Sequence, residues 1–160
     1  MHKTSSDYIK GYEFSKIANG ETNDCVVRAL AASFDMTYDE AHALAKEEFN
    51  RKDRDGTPHT ILTFRRLHGT KLINGKNFTI IPKEEIRYPG SARYIQEKNP
   101  QKHNTQPIVV RQLLEKFPKG KYFVLIKGHA FSLIDGIIVG NISDGKRMNA
   151  KILDLIKIEE

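Results

Sequence analysis

Thr22-Asn23-Asp24-Cys25-Val26-Val27-Arg28-Ala29-Leu30 passes from a polar loop into an apolar helix, and the only cysteine of the chain stands at the crossing. Val26, Ala29, Leu30 and Ser33 recur at helical spacing, so a helix is expected over 25–34 with one packed face and Cys25 at its mouth. A thiol in the first turn of a helix feels the positive end of the helix dipole and the unpaired amides there, both of which favour thiolate. Far downstream, Gly128-His129-Ala130-Phe131 opens an apolar hairpin and offers an imidazole on a rigid strand. An early Cys with a late His is a protease-like order. The competing reading is structural: an unpaired Cys is among the most buried residue types, and a His near a strand is commonly just packed or solvated.

At 160 residues, 39% hydrophobic and 29% charged, the chain reads as a single soluble domain over 1–160 with enough length for a real core. No stretch approaches the ~18 apolar residues of a membrane helix, so no membrane partner is expected. Met1-His2-Lys3-Thr4-Ser5-Ser6-Asp7 lacks the apolar run of a secretory signal, which points to a cytoplasmic location. One cysteine cannot close an internal disulfide or build a cysteine-rich zinc site. The net charge of +6 and pI near 9.4 permit attraction to nucleic acid or to acidic proteins. The basic residues are nevertheless scattered, at Arg51 to Arg54, Arg65-Arg66, Lys98 to Lys102 and Lys116 to Lys121, without a nucleic-acid-binding motif.

The organisation is helices first, strands last, an α+β class. A polar N-terminal arm is expected over 1–18. Thr37-Tyr38-Asp39-Glu40 is a capping box that starts a helix over 38–49. Thr57-Pro58 reads as an N-cap and first-turn proline for a helix to Leu67. Asn74-Gly75 predicts a hairpin between Leu72-Ile73 and the run from Phe78 to Ile81. An irregular segment is expected over 82–105, with one helical turn over 92–97, and Thr105 with Pro107 then opens a further helix. Four strands follow, over 122–126, 129–134, 137–141 and 152–158, forming an antiparallel sheet whose middle hairpin turns at Asp135-Gly136.

A helix that begins at a Cys, packed on an antiparallel sheet whose strand begins with a His, resembles the papain-like cysteine peptidase superfamily. Asp24-Cys25 is similar to the Asp-Cys pair of bacteriocin-processing peptidases, in which an amide residue six positions before the Cys helps form the oxyanion hole; that position is Asn19 here. The ovarian-tumour-type deubiquitinases are also similar, but Thr22 stands where they carry Asp. Asp24-Cys25 through Arg28-Ala29-Leu30, with the late Gly128-His129-Ala130-Phe131 and Asp135-Gly136, most closely resembles small proteins of tailed bacteriophages. The resemblance covers about 19–46 and 120–145 and implies a phage-encoded thiol hydrolase working in the host cytoplasm.

In such chemistry a Cys25 thiolate attacks a carbonyl while His129 holds the proton and later gives it to the leaving group. The Cys25 N–H with the Asn19 or Asn23 amide would stabilise the oxyanion. Two residues compete to orient the imidazole. With a two-residue Asp135-Gly136 loop, paired positions sum to 271, and His129 shares a sheet face with Asp144. A loop one residue longer puts His129 and Asn141 on one face, twelve positions apart, a spacing the resemblance to the murein-endopeptidase branch supports. Asn141 is preferred because it ends the apolar run, whereas Asp144-Gly145 reads as a surface turn. The histidines at 2, 42, 59, 68 and 103 show no metal-ligand spacing, so no metal and no cofactor are expected. Three function classes remain open: a cysteine hydrolase of peptide, isopeptide or amide bonds in a protein or peptide substrate, a host protein among them; a catalytically inactive papain-like fold that binds a host or phage macromolecule; and a basic nucleic-acid-associated protein in which Cys25 is only packed.

Overall fold

The computed structural model describes residues 2–89, 105–141, 144 and 146–159. Its centre is a six-stranded sheet formed by β1 (His2–Thr4), β2 (Phe78–Ile80), β5 (Lys121–Ile126), β6 (His129–Ile134), β7 (Ile137–Gly140) and β8 (Ile152–Ile158), in the order β1-β7-β6-β5-β8-β2. The pairs are antiparallel except at one edge, where β1 runs parallel to β7. A separate two-stranded sheet joins β3 (Arg87–Pro89) to β4 (Thr105–Pro107). The class is therefore mixed α+β.

Both faces of the central sheet are covered, which explains the nearly continuous apolar runs of β5 and β6. Phe123, Ala130 and Ile156 face a core completed by α3 (Cys25–Ser33), α4 (Tyr38–Glu48) and α5 (Thr60–Leu67), where Leu30, Phe64 and the residues that follow α3 and α4, Phe34 and Phe49, are fully buried. The alternate residues Val124, Phe131, Leu133 and Leu155 pack on the other side against Ile86 and against Val110 and Leu113 of α6 (Val110–Lys116). Two buried hydroxyls fasten α3 to β6: Ser132 Oγ donates to the Ala29 carbonyl at 2.9 Å and lies 2.7 Å from Ser33 Oγ. This fixes the helix that starts at Cys25 relative to the strand that starts at His129.

α4 begins with the expected capping box, Thr37 Oγ1 accepting from Glu40 N–H at 3.2 Å and Glu40 Oε1 from Thr37 N–H at 3.0 Å. Other expectations need correction. The N-terminal residues do not form a detached arm, since His2–Thr4 add a strand to the sheet and Ser5–Tyr8 form a helical turn, α1. α5 starts at Thr60, not at Thr57-Pro58, because His59 takes a left-handed conformation with φ 49° just before it. Asn74 and Gly75 do make a tight turn, but only Ile73 and Lys76 bridge across it, and β2 pairs with β8. Thr105 and Pro107 lie in β4 rather than in a helix, and α6 follows with Gln112 Oε1 accepting from Val109 N–H at 2.9 Å. Part of the 82–105 segment is regular, with a 3-10 turn at Lys83–Ile86 and then β3. The turn expected over 92–97 lies outside the described residues.

Candidate active site

Cys25 is the first residue of α3 and is half-buried. A helix leaves its first amides without intrahelical partners, and the Asp24 side chain, in the capping position, does not take them up. Asp24 is turned inward instead: Oδ2 accepts from the Tyr38 hydroxyl at 2.8 Å, and Oδ1 lies 3.1 Å from Arg28 Nε. The first-turn N–H groups beside the sulfur are thereby left for an incoming anion.

The segment leading into α3 is tied to the loop of 51–56. Glu21 accepts from Arg51 Nη1 at 2.6 Å and from Arg54 N–H at 2.8 Å, while Thr22 Oγ1 and Asn23 Nδ2 donate to the Arg54 carbonyl at 3.2 and 3.1 Å. Gly56, at the end of that loop, lines the cleft over Cys25. Glu21, His42 and Asp53 offer ligand atoms within 4.8 Å of one another, the one such group among the described residues. The Arg51 guanidinium already supplies the positive charge there, so the donor set does not fit a metal ion.

His129 opens β6, directly after the tight turn at Lys127-Gly128, where Gly128 has φ 67°. His129 Nε2 lies 2.7 Å from Asp144 Oδ1, and the ring shares the cleft with Cys25, close enough for each to act on the other's charge. Asp144 is fully buried. Its Oδ1 also accepts from Arg147 Nε at 3.1 Å, and its Oδ2 from the backbone N–H of Asn141 at 2.8 Å.

The charges follow from these contacts. Burial disfavours a Cys25 thiolate, but the hydrogen bond and charge of His129, the Ala130 N–H and the Arg28 charge override it and hold the thiol below its ordinary value. Burial likewise disfavours a charged His129, yet hydrogen bonds to Asp144 and Cys25 and their negative charges raise it to about 9. Burial pushes the Asp144 carboxyl up, but His129, the Asn141 N–H and Arg147 more than compensate and keep it low. Both shifts favour a thiolate beside an imidazolium.

The third residue at the imidazole is thus Asp144, the alternative, and not Asn141, which the sequence favoured. The observed pairs Ser132↔Val139, Leu133↔Ile138 and Ile134↔Ile137 are those of the two-residue loop, β7 ends at Gly140, and Asp144 meets the imidazole from beyond the strand, its N–H on the Asn141 carbonyl at 2.9 Å. Asn141 contributes its backbone N–H to Asp144 and lines the cleft. Asn23 lines it too, with its amide on the Arg54 carbonyl. Asn19 ends the one-turn helix α2 (Lys16–Asn19), is exposed, and borders a different cavity with Tyr12 and Phe14; it is not brought to Cys25.

Sequence reasoning missed three contributors. Arg28 lies one helical turn beyond Cys25, and that i,i+3 spacing was a usable signal. Arg147 had no signal beyond its charge. Gly140 is needed for space, not for its backbone: a Cβ there would overlap the Asp144 carboxylate and stand 3.2 Å from Phe131 Cβ.

The cleft has two lobes that meet at Cys25, Gly56, Gly128 and His129. One, of about 500 Å³, is walled by Val26, Ile61, Leu125, Ile126 and Leu153; the other, of about 360 Å³, by Asn23, Asp24, Arg28 and Asn141. The chain matches no family model, no curated protein and no solved structure. No helix among the described residues is long and apolar enough to cross a membrane.

Proposed function

We propose that the chain is a cysteine hydrolase that cleaves a peptide, isopeptide or other amide bond through Cys25, His129 and Asp144. The observation that carries this reading is the arrangement at the helix mouth: Cys25 and His129 side by side in one cleft, with His129 Nε2 2.7 Å from a buried carboxylate. The thiolate attacks the carbonyl carbon, and the oxyanion is met by the free first-turn amides of α3. The imidazolium then gives its proton to the departing amine as the C–N bond breaks, leaving a thioester on Cys25. Water, deprotonated by the now neutral His129, attacks the thioester, and breakage of the C–S bond releases the acid and restores the thiolate beside the imidazolium. Asp144 keeps the ring in the tautomer and orientation that both steps require.

The arrangement of a Cys-bearing helix on a His-bearing sheet supports a papain-like architecture as part of this proposal. The resemblance over 19–46 and 120–145 adds a phage-encoded origin, the host cytoplasm as setting, and a host protein as substrate. An activated ester tests the acyl transfer without knowledge of that substrate. With p-nitrophenyl acetate the account expects a burst of one nitrophenolate per chain and an acetyl adduct on Cys25, released by hydroxylamine. No burst, or equal hydrolysis by Cys25→Ser, would refute it and leave a cleft that binds without chemistry.

A further inference from the structure

The two lobes differ in chemistry, and a local irregularity of β8 sharpens the difference. β5 and β8 pair regularly up to Leu125↔Asp154, and the next pair is Ile126↔Ile152. Leu153 is the extra residue of a β-bulge, a device that re-aims a side chain. The bulge leaves Leu153 44% exposed, a large apolar residue on a strand whose neighbours Ile152 and Leu155 are buried, and it lies on the wall of the Cys25 cleft. Ile61 and Leu125 stand half-buried in the same wall. The carboxylate of that lobe, Asp154, is already paired with Lys83 at 3.0 Å, so it does not reward a cationic guest. Where the lobes meet, Gly56 has nothing within 4 Å of the place a Cβ would occupy, so a substrate backbone can approach closely. Beyond it the walls turn polar, to Asn23, Asp24, Arg28 and Asn141, groups that suit the amides of a main chain.

From this we infer that the substrate is an extended peptide segment with a large aliphatic or aromatic side chain, seated against Leu153, next to the amide bond held at Cys25. The inference rests on the hydrolase reading and adds its specificity. The same lobe could hold a fatty acyl chain, but the polar lobe across the neck favours a peptide, which has hydrogen-bonding groups on both sides of the reacting carbonyl. Leu153 is then a specificity-determining residue. It makes no hydrogen bond to Cys25, His129 or Asp144, and its part is to seat the side chain of the substrate.

Peptidyl vinyl sulfones that differ in a single side chain provide the test. Cys25 sulfur adds to the β-carbon of the vinyl group and the α-carbon takes the proton held by His129, so no further reactant is required. The Leu and Phe probes should inactivate the whole chain roughly tenfold or more faster than the Ala probe, as pocket discrimination of apolar groups allows, with Asp and Lys probes slower still. Leu153→Lys should abolish the preference for Leu and favour the Asp probe, each probe rate being read relative to the same variant's iodoacetamide rate so that a change in Cys25 reactivity divides out. Equal rates for all probes, or a Leu preference that survives Leu153→Lys, would overturn the inference with the hydrolase reading intact. A fatty-acyl probe that outruns the Leu peptide would overturn the peptide class. Iodoacetamide labelling that is indifferent to His129→Ala would overturn both readings together.

Discussion

Asp144→Asn, which keeps the shape of the side chain, is expected to slow acylation of Cys25 by on the order of 100-fold or more, the range in which positioned acid–base groups contribute. Asp144 is the buried group that holds His129 Nε2, and an amide can present a donor to that nitrogen and stabilise the wrong tautomer. Asn141→Ala should have a mild effect, because Asn141 supplies its backbone N–H to Asp144 and alanine retains that group. Gly140→Ala should behave like the Asp144 variant, since the new Cβ would take the room of the carboxylate. Adding Gly140→Ala to Asp144→Ala should then cost little more, a coupling that residues acting through one another display. Burst rates with the activated ester, read beside thermal unfolding, decide the matter. Full activity in Asp144→Asn, or a larger loss in Asn141→Ala, would remove Asp144 from the relay.

The second large effect is on pH dependence. The Cys25 thiol is held below its ordinary value and His129 is raised to about 9, shifts that both favour the thiolate–imidazolium pair. Those values belong to the pair, whose two protons leave in sequence. Alkylation of Cys25 should rise at lower pH than for an ordinary thiol and hold its plateau above 9, because loss of the second proton leaves the thiolate in place. Cleavage of a peptidyl p-nitroanilide needs the imidazolium to protonate the departing amine, so its rate should fall as pH rises through about 9. The activated ester has a good leaving group and should lack that alkaline fall. In His129→Ala the alkylation curve should move up toward the ~8.5 of an unperturbed thiol. An anilide rate that keeps climbing past pH 9 would contradict the acid role of His129.

Much of this arrangement was legible because it is local. Cys25 at a helix start and His129 at a strand start follow from short-range patterning, and the Asp135-Gly136 hairpin follows from turn residues whose observed φ values, 47° and 80°, are both positive. The sequence tied Asp144 to His129 through a shared strand face, whereas β7 stops at Gly140 and the carboxylate comes to the ring from beyond the strand. The preference for Asn141 came from treating Asp144-Gly145 as a solvated turn. Asp144 does lie in a turn, with its N–H on the Asn141 carbonyl at 2.9 Å, but three donors pay for burying the carboxylate.

The rest depended on partners distant in the chain. His2–Thr4 carry no apolar alternation, and only pairing with β7 makes them a strand. The turn at Asn74-Gly75 was recognised, but Phe78–Ile80 found their partner in β8, some eighty residues on. Asn19 was proposed from spacing alone, and the spacing does not survive the one-turn helix that carries it away from the cleft. Nothing local marks Gly140, whose role is set by a carboxylate folded over it.

The central claim is that Cys25 is an activated nucleophile because of His129. The rate of Cys25 modification by iodoacetamide at pH 6.5, followed by intact mass in the wild type and in His129→Ala, tests it most directly. An unperturbed thiol is only about 1% thiolate at that pH, so the wild type should react about tenfold or more faster than a free thiol, the gain being tempered by the lower nucleophilicity of an acidic thiolate. His129→Ala should fall back to the free-thiol rate or below it. A wild-type rate no faster than that of a free thiol, or one unchanged by His129→Ala, would contradict the account.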